Sequence, residues 1–200
     1  MTAITKKEME ELHLSNITKH ALEESLKRLL LKKPLTKITI NDLTTDCGIS
    51  RMTFYYHFKD IYDLVEWACL EESTRALQGK KTYSTWQEGL LQIFESVYEN
   101  KAFIMNAYNS LSREQIENFL FRLTHDLIMG VVEERSVGTS ITEAQKNFIA
   151  DFYKYSFVGI MLDWIRQGMK ADYTSICTDM CTTLHGNISN SIKNFTNSTE

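Results

Sequence analysis

Between Thr39 and Lys59 the chain reads TINDLTTDCGISRMTFYYHFK, which brings hydroxyls, a guanidinium, two phenols, an imidazole and a lysine into one short span. These groups suit contacts to anionic oxygens and base edges better than bond-making chemistry. Small hydroxyls at Ser50 and Thr53 permit close approach, and the Arg51 guanidinium can fork onto guanine. Tyr55 offers its ring to a thymine methyl or its hydroxyl to a phosphate. Tyr56, His57 and Lys59 fall where a helix leaving the major groove passes phosphate oxygens.

Two short helices joined by a tight turn would position these side chains. Thr39 caps the first, with Asp42 three residues on to answer it, and Ile40 and Leu43 supply its inward face. Gly48 sits where φ must turn positive, Ile49 plugs the corner, and Ser50 is an N-cap for the second helix. Phe54 and Phe58 form the inward side of that helix, which leaves Arg51, Met52, Thr53, Tyr55, Tyr56 and His57 on or near the outside. A helix-turn-helix accounts for the glycine turn and the hydroxyl-rich helix start together. A mere packing face for the tyrosines does not.

At these residues the chain resembles the TetR/AcrR family of regulators. The match is carried by the turn Cys47-Gly48-Ile49-Ser50 and by Thr53-Phe54-Tyr55-Tyr56-His57-Phe58-Lys59-Asp60 followed by Leu64. The run Tyr62-Asp63-Leu64-Val65 to Trp67 is similar to the branch that includes regulators of dihydroxyacetone kinase genes. Two departures stand out. Arg51-Met52 replaces the small residues common at the start of the family's recognition helix, so operator preference does not carry over. Ile61 stands where the family often has a phosphate-binding lysine, which shifts that role to Lys59 or Lys37. The expected DNA-contact set is Lys37, Thr39, Ser50, Arg51, Met52, Thr53, Tyr55, Tyr56, His57 and Lys59. The resemblance implies a homodimer on a palindromic operator, with repression under a small ligand as the first expectation. Activation under a partner protein is the alternative, with Trp67 and the acidic Glu66, Glu71 and Glu72 as a surface contact.

Other chemistries find little support. There is no G-x-S-x-G, Walker A, H-E-x-x-H or glycine-rich nucleotide loop, so neither an enzyme nor a cofactor is expected. Cys177, Cys181 and His185 share a helix face at i, i+4 and i+8, but they spread over ~12 Å of axis, too far to converge on one metal ion. The four cysteines read as reduced packing residues. The N-terminal MTAITKKEMEEL lacks a signal-peptide core and no run is long enough to span a membrane, so the expected location is cytoplasmic.

The net charge of −4 looks unsuited to nucleic acid until it is divided along the chain. Residues 27 to 59 hold seven basic groups (Lys27, Arg28, Lys32, Lys33, Lys37, Arg51, Lys59) against Asp42 and Asp46, whereas the remainder holds fifteen basic and twenty-four acidic residues. A local basic footprint on an acidic body follows.

One proline and eight glycines favour long helices, and the expected fold is all-α. The expected division is a three-helix DNA-binding domain over 1–59, a linking helix over 60–80, and a helical regulatory and dimerisation domain over 81–200. A Thr5/Glu8 capping box opens the chain. The first main helix runs from about Leu14 to Lys33 on Ile17, Ala21, Leu22, Leu26, Leu29 and Leu30, and Pro34 stops it. Further helices break near Asn100 and Ser110, start again at Ser112/Gln115 and Thr142/Gln145, and end near Gly168. Trp86, Tyr98, Met105, Tyr108, Phe121 and Met129 either line an apolar ligand pocket, with Arg122, His125 or Asn106 as polar handle, or form ordinary core. A last helix with an unbroken stripe of Ile176, Met180, Leu184, Ile188 and Ile192 is expected to join Phe152, Gly159 and Ile160 in a four-helix bundle made by two copies.

Overall fold

The computed structural model describes residues 6–76, 82 and 84–197, with side chains from His13 onward, and every regular element in that range is helical. The Thr5 cap and the last four residues of the linking helix expected over 60–80 lie outside the described residues. In chain order the α-helices are α1 (Lys6–Leu30), α2 (Ile40–Cys47), α3 (Arg51–His57), α4 (Ile61–Ala76), α5 (Trp86–Glu99), α6 (Lys101–Ser110), α7 (Arg113–Ser136), α8 (Glu143–Arg166), α9 (Tyr173–Leu184) and α10 (Asn187–Asn197), with one 3₁₀ turn at Leu35–Lys37. No helix among the described residues is long and apolar enough to cross a membrane.

The chain divides into two compact units. The first comprises residues 1–69 together with 102–111, and the second residues 70–101 together with 112–200. This differs from the division expected from sequence, because α6 returns to the N-terminal unit. Phe103 and Ala107 of α6 are buried in the same cluster as Leu22, Leu43, Phe54 and Val65. That burial supplies the apolar cover that three short helices alone lack.

In the first unit α1 buries Leu22, Leu26 and Leu30, a strict i+4 row. Ile17 and Ala21 do not join it and are exposed. Each lies five residues from a member of the row, about 140° round the helix at 3.6 residues per turn. Phe54 is fully buried and Phe58 nearly so, as the inward spacing requires. Trp67 of α4 is half-buried rather than free for a partner. Its ring lies 5.7 Å from Phe58 and 5.2 Å from His20, with the Lys19 ammonium 5.7 Å from its centroid.

The second unit is built on α7 and α8, joined through Gly138 and opened at both starts by reciprocal caps, Ser112 with Gln115 and Thr142 with Gln145. Val131 and Val132 of α7 and Ile149, Val158 and Trp164 of α8 fill the core. Past α8 the Met169 amide bonds the Trp164 carbonyl at 2.9 Å, and the Gly168 amide bonds that of Ile165 at 2.8 Å. Met169 carries φ 54, a left-handed backbone compensated by burial of its side chain.

The single last helix expected from the Ile176–Ile192 stripe is two helices. His185 leaves helical geometry at ψ 119, and Gly186 turns left-handed at φ 74 before α10 begins. An i+4 stripe records which face is apolar, and the stripe continues in phase across the break. Met180 and Ile192 are buried within their own chain, which removes Met180 from a face available to a second copy. Leu184 and Ile188 border a cavity of the same unit.

Candidate nucleic-acid interface

The Thr39 hydroxyl accepts the Asp42 amide at 3.1 Å and donates to Asp42 Oδ2 at 2.7 Å, while the Thr39 amide donates to the same oxygen at 2.7 Å. This reciprocal cap fixes the start of α2. The Lys33 ammonium also reaches Asp42 at 2.7 Å, and these partners, Lys33 first, hold the Asp42 carboxyl down at about 2. At the other end of α2, Gly48 adopts φ 68 and returns its amide to Thr44 and Thr45 carbonyls. The chain then reverses into Ser50, whose hydroxyl accepts the Thr53 amide at 3.0 Å and shares a 2.9 Å hydrogen bond with Thr53 Oγ1.

Anchored by buried Phe54, α3 turns its other faces outward. Met52 is 80% and Tyr56 82% exposed, with Tyr55 at 49%. Ser50, Arg51, Lys59 and Lys37 are exposed too, and Thr53 is half-buried. A short helix with this much exposed aromatic and apolar surface is unusual for a helix with no partner on that side.

His57 departs from the rest. It is half-buried, with Nδ1 3.4 Å from Ser15 Oγ of α1. Burial, aided by the charge of Lys19, holds its imidazole below the ordinary range. At neutral pH it is an uncharged tie between α3 and α1. Thr39 is likewise occupied in capping, so its contribution to the face is to set where α2 begins.

The basic footprint is smaller than the charge count implies. Lys27 pairs with buried Glu23 at 2.8 Å, Arg28 with Asp46 at 2.6 Å, and Lys33 with Asp42. These pairs tie α1 to α2 or to itself. Among the described residues no ion pair engages Lys32, Lys37, Arg51 or Lys59. Sequence reasoning missed this division because it summed charges without pairing them. The only available signal was the presence of two carboxylates, Asp42 and Asp46, one turn apart on the neighbouring helix.

The residues expected to line one ligand pocket are divided between the two units. Met105 and Tyr108, with Asn106, belong to α6 in the first unit. In the second unit Trp86 packs edge-on to Phe157 at 6.3 Å, Tyr98 stacks on Trp164 at 6.3 Å, and Phe121 meets Tyr155 at 5.0 Å. Lys154 lies over Phe121 at 5.4 Å, His125 stands 3.8 Å from Asp151, Arg122 is exposed and Met129 half-buried. Trp86 borders an apolar cavity of about 20 Å³ with Leu90, Ile128, Val131 and Tyr153. Cys177, Cys181 and His185 form no metal-ligating cluster among the described residues, and burial pushes the Cys177 thiol up to about 12.

A helix-turn-helix of this geometry on an all-helical body defines a one-chain transcriptional regulator. Residues 84–186 match the family model described as a transcriptional regulator C-terminal region of the TetR type, and the chain belongs to the TetR family. Its members are regulators rather than enzymes. The chain is 22% identical over 156 residues, 77% of its own length and 82% of the relative's, to the HTH-type dhaKLM operon transcriptional activator DhaS of Lactococcus lactis subsp. lactis (strain IL1403). Among solved structures it resembles the dihydroxyacetone kinase operon activator DhaS with TM-score 0.68 at 19% identity, covering 90% of this chain and 98% of that one. A TetR regulator from Rhodococcus sp. RHA1 follows with TM-score 0.59 at 13% identity, covering 85% and 98%. The repressor AlkX of Dietzia sp. strain DQ12-45-1b gives 0.55 at 13% identity, covering 87% and 96%.

Proposed function

We propose that the protein is a dimeric, sequence-specific DNA-binding regulator that reads a palindromic operator in the cytoplasm. The supporting observation is α3: a capped helix held by buried Phe54, with Arg51, Met52, Tyr55 and Tyr56 exposed and with Arg51, Lys37 and Lys59 outside any ion pair among the described residues. Arg51 and the Ser50 and Thr53 hydroxyls face base edges, while Lys37, Tyr56 and Lys59 contact phosphates. Two copies place two such helices one turn of DNA apart. The dimer face is carried by α8, where Phe148 (62%), Phe152 (61%) and Tyr155 (59%) are exposed in line with Gly159. A Cβ at Gly159 would meet nothing within 4 Å of its own chain, which leaves room for a second α8 to cross there. Selection of bound duplexes from a random pool tests the reading. An inverted repeat is expected, and recovery of no preferred sequence refutes it.

Control by a partner protein is favoured over control by a buried metabolite. Among the described residues of the second unit, the enclosed apolar cavity beside Trp86 has room for about one water-sized probe, at about 20 Å³, and the space of about 580 Å³ between α5 and α9 is an open groove rather than an enclosed chamber. Metabolite sites need roughly 300 Å³ or more. The relative DhaS is described as an operon activator, which supports activation as the sign of control. Full operator affinity in the purified protein without any small molecule is expected, and a metabolite that shifts this affinity tenfold would overturn the preference.

A further inference from the structure

The groove of about 580 Å³ between α5 and α9 has Leu91 on its α5 side and two cysteines, Cys177 and Cys181, on its α9 side. We infer that these two thiols form a chelating site for a monosubstituted trivalent arsenical. The site lies in the second unit and is independent of the DNA-binding reading above.

Spacing brings the sulfurs together. Residues four apart on a helix are neighbours on one face, with about 5–6 Å between Cβ atoms, so Cys177 and Cys181 can close on a single atom where His185, a further turn on, cannot. The threonine hydroxyls that share the groove are already spent. Thr178 Oγ1 donates to the Thr174 carbonyl and Thr182 Oγ1 to that of Thr178, each at 2.8 Å, while Thr174 Oγ1 donates to Asp172 Oδ2 at 2.7 Å. Both cysteines are free, and among the described residues no hydrogen bond engages either sulfur. The Cys47 thiol, by contrast, donates to the Ala21 carbonyl at 3.2 Å.

Protonation selects the ligand class. Burial, and after it the charge of Cys181, pushes the Cys177 thiol up to about 12, and burial raises Cys181 as well. A divalent metal would demand two buried thiolates and further ligands besides. A trivalent arsenical takes the thiols as they stand: R–As(OH)₂ and two Cys–SH give R–As(S–Cys)₂ and two waters. Two As–O bonds break, two As–S bonds form, each thiol proton leaves with a hydroxyl, and arsenic stays trivalent. The product is neutral, as this half-buried surface favours. Attack begins at half-buried Cys181 and closes on buried Cys177, and the substituent lies in the open groove beside Leu91, itself 38% exposed.

The test adds phenylarsine oxide to the full chain held reduced by a phosphine, with intact mass, peptide mapping and calorimetric titration as readouts. One phenylarsenic group per chain is expected, gained with loss of two hydrogens and mapped to the peptide holding Cys177 and Cys181. Cys181→Ser, checked for retained helicity, should weaken capture about a hundredfold or more, because the second bond is no longer intramolecular. Adding Thr174→Cys to that variant restores a pair three residues apart on the same face and should recover tight capture. Adding Asp179→Cys instead sets the second thiol two residues from Cys177, off that face, and should not. Inorganic arsenite, which calls for a third sulfur, should bind the parent more weakly than phenylarsine oxide. Unchanged affinity in Cys181→Ser, equal recovery by Asp179→Cys, or an adduct found at Cys47 and Cys69 in place of α9 would each overturn the proposal.

Discussion

Raising the salt from about 50 to about 200 mM distinguishes cations aimed at DNA from cations already spent inside the protein, because each neutralised phosphate contributes roughly −0.9 to the slope of log K against log salt. Lys37, Arg51 and Lys59 have no ion-pair partner among the described residues, whereas Lys27, Arg28 and Lys33 do, and Lys32 sits in the field of Asp46. Lys37 and Lys59 on phosphates in each copy of a dimer give a slope of about −4 and a loss of about 10² in affinity over that range. Counting all seven would give about −13 and a loss beyond 10⁷. Anisotropy titrations on a selected duplex across the range measure the slope directly. Lys37→Met or Lys59→Met should each make it shallower by about 2 in the dimer. Lys33→Met should leave it unchanged while destabilising the fold. A slope near −13, or an equal change on removing Lys33, would refute the assignment of that lysine to Asp42.

Other perturbations probe separate links. Asp42 sits at about 2 in the folded protein, below the ordinary carboxylate range, so its contribution is complete above about pH 4 and is lost as pH falls through 2. Thermal unfolding should accordingly show Asp42→Asn less stable than the parent at pH 7, with most but not all of the difference gone at pH 2. Gly48→Ala meets no steric obstacle, so its cost is the left-handed backbone at φ 68, about 1–2 kcal/mol by denaturant titration, with operator binding weakened as the angle between α2 and α3 loosens. Phe152→Glu should yield monomers in sedimentation at micromolar concentration and abolish preference for the inverted repeat over a half-site; an unchanged dimer would place the interface elsewhere.

Local signals were legible where a short motif fixes its own geometry. Thr39/Asp42, Gly48, Ser50, Ser112/Gln115 and Thr142/Gln145 all do in the structure what their residue types dictate, because caps and left-handed turns depend on neighbours within four positions. Long-range partnership was not legible. That α6 packs with α1–α4, that Arg28 and Lys33 reach back to α2, and that Trp67 is gripped by Lys19 and His20 all depend on segments far apart in the chain. Periodicity misled at the C-terminus for a related reason: a hydrophobic stripe reports phase, and a left-handed glycine interrupts a helix without disturbing the phase on either side. The aromatic pairings Trp86–Phe157, Tyr98–Trp164 and Phe121–Tyr155 were not legible either, because composition lists aromatics without saying which will stack.

The return of α6 to the N-terminal unit has a consequence for anyone wishing to graft this DNA reader onto another sensor. The transplantable piece is not a prefix of the gene. A fragment cut anywhere before residue 102 leaves behind Phe103 and Ala107, two members of the buried cluster that holds Leu22 and Val65, so the excised reader would carry an oily wound where the native one is sealed. A chimera should instead carry both stretches, bridged by a new linker, or recruit a substitute helix from its host.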